Sequence, residues 1–107
     1  MADFTLHDLE QRLQQRAQES AEVSYTRKLL DRGVAHCAKK MGEEAFEAAI
    51  AAVHEDKDRL TAEAADLIYH LLVLLHARGI TLADVEATLA ARSKQSGLDE
   101  KASRKHG

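Results

Sequence analysis

Two long stretches with helical periodicity dominate the sequence, and the chain contains no proline to break them. The first is predicted to run from residue 34 to about residue 54, directly after Gly33. The second is predicted to end at about residue 78, directly before Gly79. Only a few polar residues near positions 54 to 58 join them. The two helices are therefore predicted to form a long antiparallel hairpin.

Further helices are predicted before and after this hairpin in the sequence. Capping residues and apolar spacing indicate a first helix from Thr5 to about Ser20, a short helical turn from Thr26 to Arg32, and a last helix from Thr81 to about Ser93. Asp56 or Asp58 is expected to cap the second long helix. The fold class is therefore all-α, with four to five helices in one domain over residues 1–107. Residues 95–107 are expected to form a flexible basic tail.

The apolar residues of the two long helices predict close packing and a dimer. A row of small or flexible side chains on the first helix would let a neighbouring helix approach closely: Met41, Ala45, Ala48 and Ala52. The second helix carries a leucine row, Leu60, Leu67, Leu71 and Leu74, and residues 67–75 are apolar on almost every side. Such a helix must be surrounded by its own chain or by a partner subunit. A chain of 107 residues buries only a modest core, so a bundle completed by homodimerisation is expected.

Composition excludes several classes of function. A net charge of −3 gives no general attraction to nucleic acid or to an anionic membrane. The apolar run 67–75 is far shorter than the ~18 residues that a membrane-spanning helix needs. The single Cys37 cannot form an internal disulfide, and a small core residue is a better interpretation of it than a nucleophile. With no apolar signal segment at the start, a cytoplasmic location is expected.

Four carboxylates on the two long helices form the candidate functional group. Glu44 and Glu47 are three residues apart, and so are Glu63 and Asp66. Each pair lies about 60° apart around its helix and therefore projects from one face. In an antiparallel hairpin, Glu47 and Glu63 lie at similar depth from the turn, with the other two one turn deeper. All four can converge between the helices.

Carboxylates gathered beside an apolar seam are costly unless a cation accompanies them. An all-oxygen site suits Mg²⁺, with Mn²⁺ as a possible substitute. The alternative is that the pairs are ordinary solvated surface charges, as a single Glu-x-x-Glu usually is. The role of Glu43 stays open among a further ligand, a base that orients a metal-bound water, and an ion-pair partner of Lys39 or Lys40.

Cations near these carboxylates could bind phosphate groups. Lys40 lies four residues before Glu44 on the same face. His70 lies four after Asp66, where it could contact phosphate or equally be a core or interface histidine. Further candidates for phosphate contacts are Lys28, Arg92, Lys101 and Arg104. None of the six histidines follows a glutamate by three residues, which argues against a di-iron carboxylate site. The scattered glycines form no P-loop.

The order of these motifs resembles the phosphoribosyl-ATP pyrophosphohydrolase family, within the all-α nucleoside triphosphate pyrophosphohydrolases. Four blocks carry the resemblance: S-Y-T at 24–26, K-K-M-G-E-E-A-F-E at 39–47, E-A-A-D-L-I-Y-H-L-L-V-L-L at 63–75, and E-K-A-S-R-K at 100–105. The resemblance implies hydrolysis of phosphoribosyl-ATP to phosphoribosyl-AMP and pyrophosphate in histidine biosynthesis. It also implies Mg²⁺ on Glu44, Glu47, Glu63 and Asp66, with Glu43 as a further catalytic candidate, and a homodimer. Thr26, in S-Y-T, becomes a candidate substrate contact.

Two other functions remain compatible with the sequence. One is a house-cleaning pyrophosphatase of the same superfamily that acts on a (deoxy)nucleoside triphosphate, which the acidic motif alone does not exclude. The other is a helical dimerisation module without catalysis, in which the acidic pairs are merely solvated. The S-Y-T block and the 100–105 block argue against the first of these. The second predicts no Mg²⁺-dependent change in stability and no release of pyrophosphate.

Overall fold

The chain folds into an all-α arrangement around a central helical hairpin. The structure is a computed structural model and describes residues 3–94, in which there are five helices and no strand. These are α1 (Leu6–Ala17), α2 (Tyr25–Asp31), α3 (Val34–His54), α4 (Lys57–Ala77) and α5 (Leu82–Arg92). Helices α3 and α4 pack chiefly against each other, while α1 contacts α2, α4 and α5. The predicted fold class and central hairpin are confirmed. The predicted flexible tail, residues 95–107, lies outside the described residues.

Side-chain caps set where most of these helices begin. Thr5 and Asp8 form a reciprocal capping box at α1, and Thr81 and Asp84 form a second one at α5. Asp56 caps α4 by accepting a hydrogen bond of 2.8 Å from the backbone of Arg59. Only Glu55 and Asp56 separate α3 from α4. Such a short connection leaves the hairpin little freedom to slide, because both helix ends are satisfied at the turn.

The connection between α1 and α2 differs from the prediction. Helix α1 ends at Ala17 instead of near Ser20, and α2 begins at Tyr25. The reason is Ser24, whose hydroxyl donates a hydrogen bond of 2.7 Å to the carbonyl of Arg16 and also caps α2. One serine thus terminates the first helix and starts the second.

A small apolar core lies where α1, α2 and α5 meet the hairpin. Its buried members come from every helix: Leu13, Leu29, Cys37, Leu72, Val73 and Leu82. The Sγ of Cys37 donates a hydrogen bond of 3.3 Å to the carbonyl of Leu29. Burial raises the pKa of this thiol, which disfavours the thiolate form that a nucleophile needs. The prediction that Cys37 is a core residue is confirmed.

The predicted row on α3 is partly buried at Met41, Ala45 and Ala48, but the buried face is turned away from its last member, Ala52. Ala51 is completely buried, whereas Ala52 is exposed. The buried face of α3 includes Cys37 and Ala51, and Glu44, at matching helical spacing, is partly buried. Alanines occur on both sides of this face, so the apolar spacing alone did not choose between the two rows. The rotation directs Glu44 toward α4.

Helix α4 is only partly covered by the other described residues. The buried residues of α4 are Glu63, His70, Leu72 and Val73. The predicted leucine row does not form a buried seam here, since Leu71 is 38% exposed. By length and mean hydropathy alone, α4 meets the criterion for a membrane-spanning helix. The core helix of a bundle meets the same criterion, and Glu63 and Asp66 would be costly within hydrocarbon.

Gly33 and Gly42 allow a matched test of how backbone conformation affects stability, because Gly33 precedes α3 with positive φ and Gly42 lies inside the helix. Gly33 has φ +94° and ψ 170°, a region that only glycine adopts readily, whereas Gly42 lies inside α3; an added Cβ would meet nothing within 4 Å at either position. Gly33→Ala is expected to lower the free energy of unfolding by about 1–3 kcal/mol. Gly42→Ala is expected to raise it by up to about 1 kcal/mol, because alanine is the better helix former. Urea unfolding of both variants measures this, and effects of the same sign would contradict it.

Candidate metal centre

Three carboxylates from the two hairpin helices converge at one point. One oxygen each from Glu44 on α3 and from Glu63 and Asp66 on α4 lie within 4.8 Å of one another. Glu63 and Asp66 share one face because they are three residues apart on a helix. Glu44 reaches them because its face of α3 is turned toward α4. The antiparallel hairpin thus brings together carboxylates that are about twenty residues apart in the sequence.

The group is closed on one side and open on the other. Glu63 is 5% exposed, Glu44 is partly buried, and Asp66 is exposed. One oxygen of Glu44 and one of Glu63, Oε2 in both, are buried and have no hydrogen-bond partner within residues 3–94. A buried carboxylate oxygen without a partner is costly. These two oxygens are therefore the strongest indication of a ligand at this point.

The electrostatics of the group favour a cation. Burial is the main cause that raises the pKa of the Glu44 carboxyl, and the charges of Glu47, Asp66 and Glu63 raise it further. Burial also raises the pKa of Glu63, with Glu47 acting in the same direction and Arg59 opposing it. The neighbouring carboxylates thus oppose the ionisation of Glu44 and Glu63. A bound divalent cation would remove this conflict because it favours the charged form of all of them.

Glu47, the fourth predicted ligand, stands beside this group of three. It is exposed, and its oxygens are not among the three that lie within 4.8 Å of one another. Its side chain nevertheless interacts with both Glu44 and Glu63, since it raises the pKa of each. Three of the four predicted carboxylates are brought together, and the fourth is adjacent to two of them.

Glu43 and Lys40 form an ion pair at the edge of the site. Lys40 Nζ lies 3.3 Å from Glu43 Oε1. This hydrogen bond is the main cause that raises the pKa of Lys40, and the charge of Glu44 contributes to the same effect. Of the alternatives considered for Glu43, the structure contains the pairing with Lys40. The lysine therefore stays charged close to the carboxylate group.

His70 lies against Glu44 in the interior. Its Nε2 is 3.8 Å from Glu44 Oε1, and the residue is 7% exposed. Burial is the main cause that lowers the pKa of the imidazole, and the charge of Lys40 lowers it further. The sequence placed His70 on the side of the helix that faces the carboxylates, as observed, and left open a phosphate contact or a core histidine; its burial agrees with the second. In the structure its near neighbour is a carboxylate.

The remaining predicted substrate contacts are dispersed. Thr26 is buried, and its hydroxyl is hydrogen-bonded to Tyr69. Lys28 is exposed in the last turn of α2, and Arg92 is exposed at the end of α5. Lys101 and Arg104 lie outside the described residues. Of the predicted substrate contacts within residues 3–94, Lys40 and His70 are thus the two that lie close to the carboxylates.

Arg59 is a residue of the site that sequence reasoning missed. Its guanidinium lies 3.0 Å from Glu63 Oε1, at the i,i+4 spacing of a helical ion pair. That spacing is visible in the sequence and could have indicated it. By engaging Oε1, Arg59 leaves Oε2 of Glu63 as the unpartnered oxygen. Arg59 itself is largely exposed, so it borders the open side of the site.

The residues present fit a hard divalent cation. The donor set is all oxygen, two of its oxygens are buried without partners, and the open side at Asp66 leaves room for water or a further ligand. Mg²⁺ and Mn²⁺ prefer such oxygen ligands and keep several non-protein ligands. A metal centre with an open face can take part in hydrolysis of a phosphoric anhydride, since a phosphate oxygen can complete its coordination.

Comparison with known proteins extends over all of these elements. The chain matches the family described as phosphoribosyl-ATP pyrophosphohydrolase over residues 6–93. It is 61% identical to the phosphoribosyl-ATP pyrophosphatase 1 of Bradyrhizobium diazoefficiens, across 98% of this chain and 99% of that protein. It is 58% identical to the phosphoribosyl-ATP pyrophosphatase 1 of Rhodopseudomonas palustris, across 98% of both chains. It is 50% identical to the phosphoribosyl-ATP pyrophosphatase of Rhizobium meliloti, across 99% of both.

Removing one buried charge should stabilise the metal-free protein. Glu44→Gln keeps the size of the side chain but removes a carboxylate whose neighbours repel it. In the presence of EDTA, the variant is expected to unfold at a higher urea concentration, with a gain of about 1 kcal/mol. The control is Glu22→Gln, at an exposed position, which should change stability by less than about 0.5 kcal/mol. A loss of stability in Glu44→Gln would contradict the repulsion described above.

Proposed function

The chain belongs to the phosphoribosyl-ATP pyrophosphohydrolase family, and we propose that it works through a divalent metal held by the carboxylates of α3 and α4. The chain is an enzyme, a hydrolase that acts on a phosphoric anhydride. It hydrolyses phosphoribosyl-ATP to phosphoribosyl-AMP and pyrophosphate in histidine biosynthesis. The two alternatives, a different nucleotide substrate and a module without catalysis, are not favoured by any contact in the described chain.

The proposed metal is Mg²⁺, with Mn²⁺ as a substitute, and its proposed ligands are Glu44, Glu63 and Asp66, with Glu47 beside them. The observation that carries this is the pair of buried, unpartnered oxygens on Glu44 and Glu63. When bound, the cation would neutralise charge on the phosphates and lower the pKa of a coordinated water. The exposed position of Asp66 supports an opening through which the substrate reaches the site.

The cations of the chain are proposed to bind the substrate's phosphates. Lys40 is the best placed of them, because the ion pair with Glu43 holds its ammonium near Glu44. In this proposal Glu43 orients Lys40, and it is also a candidate for a base that accepts a proton from water. Lys28, Arg92, Lys101 and Arg104 are proposed as further phosphate contacts. Among the described residues of this set, Lys40 is the one whose charge lies close to the carboxylates.

A homodimer is proposed from the apolar surface that residues 3–94 leave exposed. Phe46, Ile50 and Val53 lie at i, i+4 and i+7 on α3 and are 67%, 41% and 75% exposed. They form one stripe, on the side of α3 away from the buried Ala51. Leu71 on α4 is also exposed. An apolar stripe of this length on an exposed helix is typical of a helix–helix interface between subunits.

The domain organisation and the location complete the proposal. All five helices contribute to one apolar core, which supports a single domain. The one cysteine is a buried free thiol, which supports a reducing compartment, and we expect the chain to act in the cytoplasm.

The metal and the substrate can be tested in one assay. Pyrophosphate release is measured from phosphoribosyl-ATP and from a panel of nucleoside triphosphates, with Mg²⁺ and with EDTA. We expect release from phosphoribosyl-ATP that requires Mg²⁺. Glu44→Gln and Asp66→Asn, each confirmed to be folded, should lower kcat by at least about 100-fold, because each removes a charged ligand. Glu22→Gln should retain full activity. Near-wild-type turnover in both folded ligand variants would refute the site.

The dimer is tested by charging the exposed stripe. Ile50→Lys should convert the dimer to a monomer at micromolar concentration, because a buried unpaired charge at an interface costs several kcal/mol. Leu89→Lys is the matched control, since Leu89 is 57% exposed on α5. Analytical ultracentrifugation measures the mass of both variants and of the unchanged chain. A monomeric unchanged chain, or a dimer that both substitutions leave intact, would refute this interface.

A further inference from the structure

We propose that Tyr25, Thr26, Tyr69 and His70 form a positioning network that orients Glu44 for the cation. The inference rests on the proposed function, because it takes Glu44 to be a metal ligand. It gives a role to the S-Y-T block of α2 and to the Y-H pair of α4, neither of which contributes a carboxylate. His70 is the member that contacts Glu44, and the others act through it.

A hydrogen bond joins the two blocks that are distant in sequence. The hydroxyl of Thr26 and the hydroxyl of Tyr69 are 2.5 Å apart, and either can be the donor. Thr26 is 4% exposed, so little water competes for this contact. The bond holds α2 against α4 at the residue that immediately precedes His70. Because of it, the start of α2 and the imidazole cannot move independently.

Two aromatic rings enclose the imidazole of His70. The ring of Tyr69 lies 5.1 Å from it at an interplanar angle of 72°, and the ring of Tyr25 lies 6.1 Å from it at 76°. Both are edge-to-face arrangements, which aromatic rings prefer. Tyr25 and Tyr69 are also stacked on each other, 6.4 Å apart. Two ring contacts restrict the side-chain torsions of His70 and favour one direction of its Nε2, and the contact between the two tyrosines supports both.

His70 directs this nitrogen at one oxygen of Glu44. The separation from Nε2 to Oε1 is 3.8 Å, which a small rotation of the carboxylate reduces to a hydrogen bond. The other oxygen of Glu44, Oε2, is buried and has no partner within residues 3–94. If His70 engages Oε1, the unpartnered Oε2 is held toward Glu63 and Asp66. Metal-binding carboxylates are commonly oriented by such a second hydrogen bond.

The enclosure of His70 favours this role over direct contact with substrate. The residue is 7% exposed, and the neighbours described above cover the ring. A phosphate group would have to displace one of these neighbours to reach Nε2. An imidazole that acts on Glu44 needs no such rearrangement. The two roles predict different kinetics, since a substrate contact affects KM at any metal concentration.

The decisive measurement is the affinity for Mn²⁺ in the absence of substrate, determined by calorimetry or electron paramagnetic resonance. His70→Leu fills similar space but has no donor, and is expected to weaken Mn²⁺ binding by 10- to 100-fold. His70→Gln offers an amide N–H at similar reach and should restore binding to within about threefold of the unchanged chain. His76→Leu, the same change at an exposed position on the same helix, should bind like the unchanged chain.

Tyr69→Phe tests the network beyond His70. It keeps the ring but removes the hydroxyl that meets Thr26, and we expect Mn²⁺ binding to weaken by several-fold. If His70→Leu does not fold, Tyr69→Phe still tests whether the network affects Mn²⁺ binding. With saturating Mn²⁺, the KM of His70→Gln for phosphoribosyl-ATP should equal that of the unchanged chain.

The outcomes separate this inference from the proposed function. If the unchanged chain binds Mn²⁺ and folded His70→Leu binds it equally well, the network is overturned while the metal site stands. Unaltered binding in Tyr69→Phe overturns the part played by α2. If the unchanged chain does not bind Mn²⁺, the metal site itself is refuted, and the network with it. A raised KM in His70→Gln at saturating Mn²⁺ overturns the positioning role in favour of substrate contact.

Discussion

Mutual repulsion among Glu44, Glu63 and Asp66 is the constraint on which the rest of the structure depends. Their oxygens lie within 4.8 Å of one another between two helices that pack closely. Such a group opposes the packing that creates it, because like charges in a partly buried site raise one another's pKa. The Asp56 cap at the turn between α3 and α4 and the core around Leu72 and Val73 hold the helices together against this repulsion. A function that requires a cation would explain why the chain retains so unfavourable an arrangement.

Each charged or polar neighbour of the group engages it from a different side. Arg59 pairs with one oxygen of Glu63, and His70 lies near one oxygen of Glu44. In both cases the second oxygen, Oε2, is the buried one without a partner. Lys40 carries its charge at the edge, where Glu43 holds it. Two buried oxygens are thus left without a partner in the described residues, which distinguishes this group from a solvated surface cluster of acids.

The features of the fold that could be predicted are those set by residues close together in the sequence. The boundaries of α3 and the caps of α1 and α5 follow from residues close in sequence, such as Thr5 with Asp8. The end of α1 was misplaced because Ser24, seven residues beyond Ala17, caps α2 and binds the last turn of α1 at once. The contact between α3 and α4 was also misjudged by one residue position, with Ala51 buried instead of Ala52. Alanine occupies both positions, so periodicity contained no information about which face would be used.

The sequence by itself determined which carboxylates could meet, because a spacing of three residues on each of two adjacent helices is a local property. It also determined, through its family-like blocks, which reaction to expect. Only the tertiary structure decided how these groups differ: Glu63 buried, Asp66 exposed, Glu47 beside the other three. It alone revealed that Thr26 reaches Tyr69 and that the rings of Tyr25 and Tyr69 enclose His70. Burial and contacts between helices depend on how helices rotate against one another, and no spacing within a single helix specifies that rotation.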